Sequence, residues 1–179
     1  MNKTGFSIPE LIIVIATIGI LAAIVVVGYN GIQNKGFDAA VQSDLESTSG
    51  LIESYRTHPT NPTNRYPSSS SHLATLGIKG SKSSYDQTLS NNFVYCVSPS
   101  SDNYQYYAII AMSRSGNTFI MTADGFKKNT STPFLKTDFN TQSTLCDLLY
   151  TKGIVPLDLG SVSAGMLGAG NWQSWVGSN

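Results

Sequence analysis

The hydrophobic positions of this chain fall into three successive patterns. From Leu11 to Gly28 mostly apolar residues follow one another without a charge, too continuously for any amphipathic period. From Phe37 to Tyr55 they recur at intervals of four or three, at Phe37, Val41, Leu45, Thr48, Ile52 and Tyr55, the spacing that lines one face of an α-helix. Beyond Asn91 they gather in short runs rich in β-branched and aromatic residues, "NNFVYCV", "NYQYYAIIAM" from Asn103 and "NTFIMTA" from Asn117, which predict strands.

No proline interrupts the chain between Pro9 and Pro59, so the first two patterns predict one helix from about Phe6 to about Thr57. Its second half is amphipathic, with Lys35, Asp38, Asp44, Glu46, Glu53 and Arg56 supplying the polar side. Between His58 and Ser71 the stretch "HPTNPTNRYPSSSS" predicts a long surface connection. Strand alternation from Asn103 puts Tyr104, Tyr106, Ala108 and Ile110 on one face and Gln105, Tyr107, Ile109 and Ala111 on the other. One face is predicted to meet the helix and the other to contact neighbours. "STLCDLLYTKG" reads as a short helix, and the glycine-rich tail "SVSAGMLGAGNWQSWVGSN" is predicted to pack partly on the sheet. Trp172 and Trp175 then close a core, the commoner role for such residues, with a carbohydrate or adhesion platform as the alternative. The fold class is α+β, a long amino-terminal helix on a meander of three or more antiparallel strands.

The apolar run is long enough to matter outside a globule. Extended back to Phe6 it covers about 23 residues, or roughly 35 Å of helix, which spans a bilayer. The leader before it is "MNKTG", with Lys3 as its single side-chain cation, which favours a cytoplasmic amino terminus and places the remainder outside. A secretory signal would put basic residues directly before a shorter apolar core, with a cleavage site after it. Here Glu10 and Pro9 stand at the start instead. An ionised carboxylate at that depth costs roughly 2–4 kcal/mol unless it reaches water or a partner. Pairing with its own amino terminus, the positive end of the helix dipole or snorkelling to the headgroups are the plain explanations for the acid.

Gly5, Phe6 and Glu10 together resemble the start of the type IV pilin and pseudopilin family: a short basic leader ending in glycine, then phenylalanine, then glutamate four positions on. The resemblance is specific over roughly residues 3 to 35. It implies cleavage between Gly5 and Phe6 by a prepilin peptidase and methylation of the new Phe6 amino group. It also implies pairing of Glu10 with Phe6 of a neighbouring subunit during assembly into a helical filament, on a pilus assembly platform in the cytoplasmic membrane. Once Gly5 is removed, Pro9 becomes the fourth residue of the mature chain, where its missing N–H had no intrahelical partner. The implied domains are a cleaved leader 1–5, a membrane and filament-core segment 6–28, and an extracytoplasmic domain 29–179. Within that domain the helix runs to about 57, a variable loop covers 58–91, and the sheet and tail cover 92–179. Gly19 and Ala23 form a small-xxx-small pair suited to helix packing in lipid. Gly28, Gly31 and Gly36 each weaken a helix by about 1 kcal/mol and are candidates for flexibility there.

Composition narrows the partners. Lysine and arginine total 11, as do aspartate and glutamate, so no bulk attraction to nucleic acid is expected, and Lys127 with Lys128 is the only basic doublet. Cys96 and Cys146 match no zinc or redox spacing. A disulfide between them is the simpler reading for a chain outside the cell, two buried thiols the reading for a cytosolic one. His58 and His72 belong to no metal-binding pattern, and no nucleophile elbow, phosphate-cradling loop or calcium loop occurs. The expectation is a structural subunit without cofactor or catalysis, of a pilus or, alternatively, as a minor pilin or secretion pseudopilin. A singly anchored extracellular enzyme or sensor is the remote alternative.

Overall fold

The computed structural model describes residues 7–127, 133–168 and 170–178, with residues 26–28 and 30 described by their helical backbone alone. The chain divides into two compact units, Met1–Gly36 and Phe37–Asn179. In chain order the elements are α1 (Ile8–Thr57), α2 (Ser70–Ala74), β1 (Lys79–Gly80), β2 (Asn91–Val97), β3 (Tyr107–Met112), β4 (Thr118–Thr122), β5 (Gly125–Lys127), α3 (Gln142–Thr151), β6 (Gly160–Leu167) and β7 (Gly177–Ser178). The fold is α+β, as the sequence predicts.

In the first unit α1 begins at Ile8, with Ser7 at the flanking position; the expected start at Phe6 lies outside the described residues. The Ser7 carbonyl accepts the first helical bond, from the Leu11 N–H at 3.2 Å, which defines Ser7 as the N-cap. Pro9 is thus the second helical residue, where a missing N–H removes no bond. Every described side chain of this unit is exposed.

The second unit is a five-stranded antiparallel sheet in the order β5-β4-β3-β2-β6. One face carries Tyr95, Tyr107, Ile109, Ala111 and Phe119, packed with Val41, Leu45 and Ile52 of α1. The four-and-three spacing read from the sequence is the stripe that meets the sheet, and Thr48 lies buried within it. The opposite face, with Val94, Cys96, Ala108 and Ile110, is covered by Leu145, Cys146 and Leu149 of α3 and by Phe134 and Phe139. That corrects the expectation of a face open to neighbours: β2 and β3 are buried at every position, as a strand covered on both sides must be.

Three further corrections concern element limits. The strand predicted from Asn103 starts at Tyr107, since Asn103 and Tyr104 adopt left-handed φ of 59° and 53° and turn the chain. The predicted loop 58–91 holds α2, β1 and a 3-10 turn at Lys82–Ser84. The glycine-rich tail supplies β6, which pairs along β2 from Asn91↔Leu167 to Val97↔Gly160, and β7, which pairs in parallel with β1. Trp175 is buried, and Trp172 packs partly buried against the core, the core-closing role.

Candidate functional site

At the amino-terminal end of α1 the segment Ile8–Val25 has a mean hydropathy of 2.6 and is entirely unburied. Large apolar side chains face outward all round it: Ile13, Ile20, Leu21 and Ile24 are each about two-thirds exposed. A helix apolar on all sides and covered by nothing suits a membrane span by length and composition. Thr17 donates its hydroxyl to the Val14 carbonyl at 2.8 Å, so this polar group is satisfied inside the helix.

Glu10 is the only charged residue in that segment. Its Oε2 accepts from the Ser7 main-chain N–H at 2.8 Å and from the Ser7 hydroxyl at 2.6 Å. The acid thus sits at N3 and reaches back to the N-cap residue, as in a capping box. "SIPE" fits the S-x-x-E pattern, so Ser7 was findable from sequence, yet the resemblance drew attention to Phe6 instead. Gly5 and Phe6 lie outside the described residues. Gly19 and Ala23 are exposed, and a Cβ placed on Gly19 would meet nothing within 4 Å, leaving that face free for another helix. Gly28, Gly31 and Gly36 all lie inside the helical span of α1, with open space around Gly31 and Gly36. The helix is continuous through them.

In the second unit the two cysteines are joined, Cys96 of β2 to Cys146 of α3, with Cα atoms 5.8 Å apart. Both are fully buried. The bond ties α3 to β2, an inner strand between β3 and β6, on the sheet face that α1 does not cover.

Three carboxylates mark where loops are pinned. Asp44, predicted on the polar side of α1, is only 3% exposed and faces inward. It accepts from the Ser81 N–H at 2.6 Å and from the Tyr85 hydroxyl at 2.9 Å. Burial first, then the charge and hydrogen bond of Asp44, push the Tyr85 phenol well above its ordinary value, so it stays a donor. Asp38 binds the β3–β4 turn through the Ser113 and Ser115 hydroxyls and the Asn117 amide, at 2.5, 2.5 and 2.7 Å. Asp86 meets Lys136 Nζ at 2.6 Å and accepts from the Thr88 N–H and hydroxyl at 2.9 and 2.6 Å. Burial opposes its ionisation, but the bonds from Lys136 and Thr88 outweigh that and hold the carboxyl below its usual range.

Each of these acids is absorbed in structure. His58 Nδ1 contacts the Thr60 hydroxyl at 2.8 Å, and the His72 ring lies 5.6 Å from that of Tyr55. Among the described residues no group of three or more metal-ligating side chains gathers. Lys127 lies in β5, and Lys128 lies outside the described residues. No family model, curated protein or solved structure matches the chain. The functional reading therefore rests on the exposed apolar helix, the placement of Glu10 and the build of the disulfide-bonded unit.

Proposed function

We propose that this chain is a filament-forming subunit of the type IV pilin kind. It is held in the cytoplasmic membrane by α1 until a prepilin peptidase cuts between Gly5 and Phe6, then passed by an assembly platform into a helical homopolymer. The observation that carries the reading is the uncovered segment Ile8–Val25, with one carboxylate at its start, continuous in sequence with an amphipathic half that packs on a sheet. Apolar surface of that extent has to be buried in lipid or against other copies of itself. In the polymer Glu10 pairs with the methylated amino group of Phe6 on a neighbouring subunit. The small faces of Gly19 and Ala23 let adjacent helices approach. Gly28, Gly31 and Gly36 supply whatever flexibility the helix needs on packing. The chain works as a structural element, without cofactor.

The test is mass spectrometry of the amino terminus after expression beside a prepilin peptidase. A chain starting at methylated Phe6 supports the proposal. An intact Met1, or cleavage well beyond Val27, refutes it.

The Ser7–Glu10 contact favours a second reading of the acid alone, as a helix cap with no role between subunits. A Glu10→Gln variant separates the two. A cap tolerates the neutral amide with a loss of at most about 1 kcal/mol, whereas an intersubunit ion pair does not survive the exchange.

A further inference from the structure

On the second unit, α2, the first residue of α3, the outer edge of β6 and the carboxy-terminal tail enclose an open groove of about 500 Å³, within the size range of small-ligand sites. Its chemistry is uniform: no ionisable side chain lines it. Gln142, Gln173, Ser70 and Ser174 are among the residues that line it. None of these four side chains has a hydrogen-bond partner among the described residues. Two carboxamides and two hydroxyls, each able to donate and accept, are therefore unspent. Trp175, by contrast, already donates its indole N–H to the Ser163 hydroxyl at 3.0 Å and contributes apolar surface, as does Val162.

Each alternative ligand class meets an obstacle. An ion entering the groove would lose water without finding an opposite charge. A wholly apolar molecule would strand the amides. An added peptide strand would need the edge of β6, but the tail already occupies part of it: Gln173 N–H donates to the Gly165 carbonyl at 2.7 Å and Leu167 N–H to the Asn171 carbonyl at 2.9 Å. A neutral molecule with many hydroxyls and weakly apolar C–H faces satisfies both the amides and the apolar strip. We infer that this groove is a binding site for neutral carbohydrate. The site depends only on the second unit, so it stands or falls independently of filament formation.

Saturation-transfer NMR on the full chain tests this, in micelles of a detergent without a sugar headgroup, with lactose, cellotriose and chitotriose as probes. At least one probe is expected to take up saturation, and adding Gln142→Ala or Gln173→Ala is expected to weaken it about tenfold, the loss of roughly one hydrogen bond. Gln42→Ala, outside the groove, is the control and leaves binding unchanged. Because neither glutamine has an internal partner, both variants should melt with the parent. If one does not, Ser174→Ala replaces it. No saturation with any probe overturns the proposal. So does binding that survives the double Gln142→Ala, Gln173→Ala variant, or stronger transfer to a neutral Ser-Gly-Gln peptide or to sialyllactose than to the neutral sugars.

Discussion

At the scale of single residues, the chain uses its few acids to hold main chain in place, and the two halves of the molecule do so for different ends. Among the described residues, Glu10 takes its two bonds from the Ser7 N–H and hydroxyl, at the start of the exposed part of α1. Glu10→Ala is expected to leave the protein in the membrane while abolishing sedimentable fibres, and Ser7→Ala to leave fibres present if the acid works between subunits. Electron microscopy of sheared material checks both. Asp86 carries a pH dependence whose sign is set by its lowered carboxyl. A carboxylate held below its unfolded value contributes stability above about pH 4, and that contribution disappears as pH falls through the folded value. Urea midpoints measured at pH 6 and pH 3 should differ less in Asp86→Asn than in the parent. Lys136 is 61% exposed at its side chain, so the ion pair itself adds at most about 1 kcal/mol. The part-buried bonds from the Thr88 N–H and hydroxyl act in the same direction beside it.

At the scale of elements, the decisive feature is a break in β2 that no pattern announced. Phe93 has φ of 55° although it lies inside the strand, a conformation that costs roughly 1–3 kcal/mol. Asn92 repairs the ladder around it. Its Oδ1 accepts from the Phe93 and Met112 N–H groups at 2.8 and 2.9 Å, and its Nδ2 donates to the Asp86 and Met112 carbonyls at 3.1 and 2.9 Å. The Phe93 ring then sits over Gly165, where an added Cβ would lie 2.9 Å from it and 2.9 Å from Val176. Gly165→Ala is expected to lower stability by about 1–3 kcal/mol through overpacking. Gly50 of α1 has open space instead, and Gly50→Ala should raise stability by about 0.5–1 kcal/mol. Thermal unfolding followed by circular dichroism distinguishes the two signs. The strand itself was legible as "NNFVYCV", because residue type and run length suffice for that. The inverted residue was not, because only the packing of Tyr85, Trp172 and Trp175 around Phe93 selects it.

At the scale of the whole molecule, the disulfide closes a loop spanning 50 positions, so in the chain-entropy model it stabilises the second unit by about 4 kcal/mol. Replacing both cysteines by serine should lower the urea midpoint accordingly, and reductant should match that effect only once the unit opens, since both sulfurs are buried. The sequence by itself determined the continuous apolar helix, the stripe of Val41, Leu45 and Ile52, and the β2, β3 and β4 runs. These depend on periodicity and residue type over a few turns or one strand, which is local information. Only the tertiary structure decided that Asp44 faces the core, that both faces of the sheet are covered, and that a glycine-rich tail completes the sheet as β6. Glycine carries no side-chain pattern, and a carboxylate reads as polar wherever it stands. What fixes both is the set of donors and apolar groups brought near them from dozens of residues away, and no short window of sequence contains that set.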